Sequence, residues 1–232
     1  MGLDLYSKIE PYLDFQEEIY TLHNEFVAFV VGNDLDNILD IGCGQGFFLE
    51  CMQVNSKKAF GIDLSSFQIE ACKEKGFTNV DCIALEKVKE KFNCATAIFD
   101  VINYIPNDQL KKFFEDTAKV LNKDGYFIFD VNSLFGFEEI AQGCITIDLE
   151  DKFIAIDANY EDNKLITDLT LFTNEKNNSF IKEQDSITQY YHDKQRIKKL
   201  LTKAGFKIEE IKPFNLHSSD EPDKLIYISK KI

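Results

Sequence analysis

Ile38-Leu39-Asp40-Ile41-Gly42-Cys43-Gly44-Gln45-Gly46 is the stretch whose reading decides the fold. An apolar run breaks into three glycines at alternate positions, and Phe47, Phe48 and Leu49 then open a helix-like pattern. That order reads as a buried strand, a turn that only glycine can make, and a helix N-terminus. Such a junction brings bare backbone and unpaired N–H groups close to a ligand.

Outward from this stretch, strands and helices alternate. Phe47 to Met52 continues as a helix, and Ala59 to Ile62 reads as a second short strand that stops at Asp63. Ser65-Ser66-Phe67-Gln68 has the spacing of a capping box, and Ile69 and Cys72 carry that helix to a stop at Gly76. Val80 to Ala84 and Cys94 to Phe99 are the next strands, the latter apolar throughout as befits a strand covered on both faces. Asn107 is expected to cap a helix striped by Leu110, Phe113, Phe114, Thr117 and Leu121. Asp124-Gly125 then turns the chain into a buried strand, Tyr126 to Val131. The alternation predicts an α/β fold, a doubly wound and mostly parallel sheet with helices on both faces.

Upstream, Asp14 to Val31 carries Ile19, Leu22, Phe26, Phe29 and Val30 at helical spacing. Tyr6 to Phe15, with Pro11 and two tyrosines, is expected to be irregular, either folding over a neighbouring site or packing as an ordinary N-terminal arm on the surface. At Gly143 the rhythm changes. Ile145, Ile147 and Leu149 alternate with polar residues; so do Ile154, Ile156 and Ala158, and then Leu165, Thr167, Leu169 and Leu171. Turn-like clusters separate them at Glu150-Asp151, at Glu161 to Asn163 and at Asn174 to Asn178, and Phe180 to Tyr191 forms a fourth segment. This is an antiparallel meander with one wet face. A helix capped by Asp193 and stopped at Gly205 follows, then strands at Lys207 to Ile211 and Leu225 to Ser229. The expected organisation is one domain over 1–232: a helical arm (1–31), a core (32–142 and 193–232) and an inserted antiparallel lid (143–192).

Composition narrows the function classes. With 232 residues, 44% hydrophobic, the chain is long enough for one large core. No run is long and apolar enough to span a membrane, and Met1 to Glu10 has no basic start before an apolar core, so no secretory signal is expected. The six cysteines form no C-x-x-C pair, which suits free thiols in a reducing cytoplasm. The three histidines lie far apart, so no metal site is expected. A formal charge of −14, from 40 acidic against 26 basic side chains, disfavours phosphate backbones and hence nucleic acid as partner. Arg196 is the only arginine, so bidentate guanidinium clamps are nearly unavailable and a neutral or cationic ligand fits better.

In an open α/β sheet the ligand sits at the carboxyl ends of the strands, near the point where strand order reverses. The glycine turn, Asp63, Ala84 to Glu86, and Phe99-Asp100 all fall at such ends. A carboxylate at Asp63 can accept hydrogen bonds from both hydroxyls of a ribose. The spacing G-x-G-x-G differs from the G-x-G-x-x-G of dinucleotide folds, because Phe47 occupies the third dinucleotide position. A P-loop is excluded, since no Gly-Lys-Ser/Thr follows.

Asp40 to Gly46, followed by Gly61-Ile62-Asp63-Leu64-Ser65, resembles the S-adenosylmethionine-binding motifs of class I methyltransferases. Phe92 to Ile105, Leu121 to Gly125 and Leu201 to Phe206 agree with later landmarks of that family. The resemblance implies a Rossmann-like, seven-stranded core, a methyltransferase activity and S-adenosylmethionine as cofactor. It implies that Asp40, Gly42, Cys43, Gly44 and Gly46 form the cofactor loop, that Asp63 accepts from the ribose, and that Leu64 packs on adenine. Phe99 would offer its carbonyl to the cofactor's amine. The Gly-Asp step usual after strand three is absent, which leaves Leu85 or Glu86 beside the adenine amino group. The substrate side would hold Asn103, Tyr104, Asp130 and Asn132, with Tyr191 and His192 at the exit of the inserted sheet. That insertion resembles the lid of small-molecule methyltransferases, including amino-sugar N-methyltransferases, so the expected substrate is a small neutral or cationic molecule. Two other readings remain open at this level: a catalytically silent cofactor-binding protein, and a nicotinamide-dependent oxidoreductase.

Overall fold

The computed structural model describes residues 2–175 and 179–232. Among the described residues, eleven strands fall into two sheets. The larger contains β1 (Ile38–Ile41), β2 (Ala59–Ile62), β3 (Val80–Asp81), β4 (Phe92–Ala97), β5 (Leu121–Asn132), β10 (Phe206–Phe214) and β11 (Lys224–Lys231) in the order β10-β11-β5-β4-β1-β2-β3. From β3 across to β5 every pairing is parallel, whereas β11 runs antiparallel to both β5 and β10. Strand order reverses between β1 and β4, which places the ligand crevice beyond the carboxyl ends of those two strands.

Helices cover both faces of this sheet. On one side α2 (Gln16–Gly32) and α3 (Phe47–Val54) bury Leu22, Phe26, Val30, Phe48 and Met52 against Ile38, Cys94 and Ile128. On the other, α5 (Leu110–Val120) and α6 (Lys194–Lys203) close a core of Phe114, Phe127, Phe129, Phe206 and Tyr227. The Phe129 and Tyr227 rings stack at 4.8 Å with their planes 3° apart. The helix α4 (Ser66–Glu74) packs Ile69 and Cys72 against the glycine stretch and Val80.

The second sheet is β6 (Gly143–Asp148), β7 (Lys152–Glu161), β8 (Lys164–Glu175) and β9 (Ser179–Tyr190), a continuous antiparallel meander. Its alternation works as the pattern demands: Ile154, Ile156, Leu165, Leu169 and Leu171 are buried, while their polar neighbours face water. Of the turn expected at Asn174 to Asn178, Lys176, Asn177 and Asn178 lie outside the described residues.

Three local expectations change. Tyr6 to Phe15 is not an irregular arm: α1 (Gly2–Ile9) precedes a 3₁₀ turn at Glu10–Tyr12 that carries Pro11. The helix forms because Leu5, Ile9 and Leu13 share a core with Ile154, Ile156, Leu169, Leu171 and Ile187 of the second sheet. Burying each such aliphatic side chain stabilises by about 1.5–3 kcal/mol, which outweighs a weak local signal. Asn107 does not cap α5, which begins three residues later at Leu110; the Asn107 side chain reaches His192 instead. The third strand shrinks to Val80–Asp81, since β2 offers it only Gly61 and Ile62 as partners.

Candidate active site

The glycine loop is built by backbone geometry. Gly42 and Cys43 both donate to the Ile62 carbonyl at 2.8 and 3.0 Å, so the chain leaves β1 still tied to β2. Gly42 and Gly46 then take φ values of +74° and +83°, a region open to glycine at little cost. A Cβ at Gly42 would lie 2.7 Å from Val101 Cγ2, whereas one at Gly44 would meet nothing within 4 Å. The loop is thus packed from below at Gly42 and open above Gly44, a cradle of bare backbone. Beneath it the Cys72 thiol donates to the Gly44 carbonyl at 3.2 Å.

Asp63 stands at the carboxyl end of β2, facing that cradle. Its Oδ2 accepts from Gly44 N–H at 3.0 Å and its Oδ1 from Ser65 N–H at 2.8 Å. The loop and the carboxylate are therefore one rigid unit, and each carboxylate oxygen keeps a lone pair for a ligand. Burial raises the Asp63 carboxyl above its ordinary range, and the N–H donors of Ser65 and Gly44 oppose that. Leu64 is exposed beside it, free to cover a ring. Asp40, fully buried at the end of β1, accepts from Thr96 Oγ1 at 2.8 Å. Burial pushes its carboxyl up to about 7, against the Thr96 hydrogen bond and with help from the Asp63 charge.

At the end of β4 the backbone is strained. Phe99 and Asp100 take φ values of +63° and +65° in succession, and for a bulky non-glycine residue that conformation costs about 1–3 kcal/mol. Asp130 supports them: Oδ1 accepts from Phe99 N–H at 2.7 Å and Oδ2 from Asp100 N–H at 3.3 Å. The ammonium of Lys224, on β11, donates to Asp130 at 3.0 Å, to Asn132 Oδ1 at 2.9 Å and to Asp100.

Above the crevice sit two phenols. Tyr6 of α1 and Tyr104 pack on the core shared by α1 and the second sheet. Burial raises both above the ordinary phenol range, and the carboxylates Glu10 and Asp100 add to it, so both stay protonated. The Ser65 hydroxyl donates to Asp4 of α1 at 2.8 Å, tying this helix to the turn that follows β2. His23 of α2 lies with its ring 4.7 Å from Phe47 and 5.6 Å from Phe99. Burial pushes it down to about 4 while the Ile19 carbonyl, 2.7 Å from Nδ1, accepts its proton, so it is a neutral imidazole.

Several residues expected on the substrate side serve the fold instead. Both His192 nitrogens are engaged, Nε2 with the Ile102 carbonyl at 3.0 Å and Nδ1 with the Asn107 side chain at 3.2 Å, and burial lowers its pKa. It joins the second sheet to the core and has no nitrogen left for a substrate proton. Asn103 links Tyr190 to the Asn132 backbone, and Asn132 holds Lys224, so their side chains are committed as well. Asp130, also expected there, is fully buried with its oxygens filled. Tyr191 packs edge-on against Phe137 at 6.1 Å, in a small cluster with Tyr160. Glu86 points to Lys112 on α5 rather than to the crevice, which leaves buried Leu85 at that position. Sequence reasoning did not single out Lys224 or His23, because each draws its environment from elements distant in sequence.

Residues 38–125 match the family described as a methyltransferase domain. A putative methyltransferase of Geobacillus sp. (strain WCH70) is 24% identical over 208 residues, spanning 84% of each chain. Among solved structures, an S-adenosylmethionine-dependent methyltransferase from Clostridium acetobutylicum ATCC 824 superposes with a TM-score of 0.78 at 21% identity, covering 99% of this chain and 97% of that one. The sugar N-methyltransferase KedS8 from Streptoalloteichus sp. ATCC 53650 has a TM-score of 0.74 at 15% identity over 99% and 92% of the two chains. Residues 38–125 thus match a methyltransferase domain, and the chain as a whole shares the fold of these S-adenosylmethionine-dependent methyltransferases, with the same strand order around a glycine cradle.

Proposed function

We propose that the chain transfers a methyl group from S-adenosylmethionine to a small neutral or cationic molecule by in-line displacement. The observation that carries this reading is the union of Asp63 with Gly44 and Ser65, a carboxylate pinned beside an open, left-handed glycine turn. Asp63 receives the ribose hydroxyls, and Asp40, Gly42, Cys43, Gly44 and Gly46 run beside the methionine portion. Leu64 and Leu85 enclose adenine, and the Phe99 carbonyl accepts from the amino group. The fit is electrostatic as well: a sulfonium and an ammonium meet Asp40, Asp63 and Asp100. The bound cofactor supplies the activated methyl carbon and the leaving thioether.

The chain's own residues then have two tasks, alignment and exclusion of water. The inserted sheet (143–192) and α1 share one core over the crevice and act as a lid. Tyr6 and Tyr104, both protonated, orient the nucleophile by hydrogen bonds and are not proton acceptors. Acidic groups line this space: Asp100 and Glu10 face Tyr104, while Arg196, the sole guanidinium, is spent on the Asn107 carbonyl. That balance supports a neutral or cationic acceptor such as an amine, in keeping with the likeness of fold to KedS8, which is named a sugar N-methyltransferase. The six free thiols suit a cytoplasmic protein, and no helix among the described residues is long and apolar enough to cross a membrane.

Radiolabelled methyl transfer tests the substrate class. With panels of small amines, small carboxylic acids, oligonucleotides and peptides, label is expected in an amine. Transfer confined to oligonucleotides or to carboxylates would overturn the reading, and cofactor binding without transfer to any acceptor would favour the silent binder.

A further inference from the structure

The proposed transfer gives no task to the buried ammonium of Lys224. Lys224 is 2% exposed and donates to Asp130, Asn132 and Asp100. A buried lysine is costly unless paired, and here two carboxylates and an amide surround it. Burial works against its charge, but Asp100 and Asp130 more than compensate and keep it an ammonium. Asp130 in turn, wholly buried, is lifted by burial and drawn back by Lys224.

The consequence lies one bond further on. The peptide joining Phe99 to Asp100 is trans, so its carbonyl and its N–H point in opposite directions. The N–H of Asp100 points at Asp130 on β5. Since β4 lies between β5 and β1, the Phe99 carbonyl points to the β1 side, where the glycine loop begins. The two left-handed residues would relax without this grip, because Phe99 gains nothing locally from a positive φ.

We infer that Lys224 and Asp130 are positioning residues that aim the Phe99 carbonyl at the amino-acid end of the cofactor. Lys224 holds Asp130 ionised; Asp130 holds two backbone N–H groups; the peptide plane then sets the acceptor's direction. This rests on the reading of the crevice as an S-adenosylmethionine site. The charged groups facing Asp130 are Lys224 from β11 and Asp100 from the end of β4.

Two probes separate this role from plain structural support. S-adenosylhomocysteine carries the amino-acid end, whereas 5′-methylthioadenosine lacks it and keeps adenine and ribose. In the Asp130→Asn and Lys224→Met variants, calorimetry should show S-adenosylhomocysteine weakened about ten- to hundredfold, the value of one hydrogen bond to a charged group. Methylthioadenosine should bind both variants as it binds the wild type. Equal weakening of both ligands, or unchanged S-adenosylhomocysteine affinity, would overturn the inference. If Lys224→Met does not fold, the isosteric Asp130→Asn, which keeps an acceptor for Phe99 N–H, decides alone. A wild-type protein that binds neither probe would overturn the underlying site reading instead, and the inference with it.

Discussion

Asp63→Ala should weaken S-adenosylhomocysteine binding by about a hundredfold or more, the largest single effect expected in the crevice. Two charge-assisted hydrogen bonds to ribose hydroxyls are worth roughly 1.5–3 kcal/mol each, so their joint loss reaches that range. The substitution also releases the Gly44 and Ser65 N–H groups, which loosens the cradle itself. Calorimetry on the variant and on Asp63→Asn checks both parts. The asparagine retains one acceptor oxygen and should fall between the alanine variant and the wild type. An affinity unchanged in Asp63→Ala would remove the ribose role.

Asp40→Asn should stabilise the ligand-free protein at pH 8 and leave it little changed at pH 4. The sign follows from burial. The folded carboxyl sits at about 7, above its unfolded value, so between those two values the folded state holds a proton that the unfolded state has lost. Its favourable contribution is complete below the unfolded pKa and disappears as the pH rises through 7. About three pH units of separation correspond to roughly 4 kcal/mol, lost progressively from near pH 4 upward. Chemical denaturation of both proteins at pH 4 and pH 8 measures this, and parallel stability profiles would contradict it. The same group links to the ligand's charge. A sulfonium in the cradle favours the Asp40 carboxylate, so the preference for S-adenosylmethionine over uncharged-at-sulfur S-adenosylhomocysteine should grow as the pH passes 7.

What the chain showed in its sequence, and what it hid, follows from the range of each interaction. The glycine turn was legible because its logic is local, a left-handed turn needing glycine, and the place of Asp63 because it directly follows the last apolar residue of β2. The parallel sheet was legible for a similar reason, since strands such as β4 are buried on both faces from Cys94 to Ala97 and mostly apolar there. The second sheet showed itself through period-two alternation at Ile154, Ile156, Leu165, Leu169 and Leu171. By contrast, α1 gains its stability from strands far along the chain, and Leu5 and Ile9 alone are too short a pattern to announce it. Lys224 follows Asp223 in a polar stretch and looks like any solvated lysine; only the register of β11 against β5 puts it beside Asn132. His192, at the exit of the inserted sheet, was open in sequence to a substrate-side role or to one at the entry of the next helix. The structure spends both its nitrogens on the joint to Ile102 and Asn107.

The most direct test of the central claim is a calorimetric titration of the wild-type protein with S-adenosylhomocysteine and, separately, with NAD. Phe47 bears on the outcome. Where a dinucleotide fold needs a third glycine for close helix–strand packing, this ring instead packs against Tyr20 at 4.8 Å and His23 at 4.7 Å on α2. S-adenosylhomocysteine should bind with one-to-one stoichiometry and NAD should give no heat of binding. Binding of NAD without S-adenosylhomocysteine would contradict the assignment of the crevice.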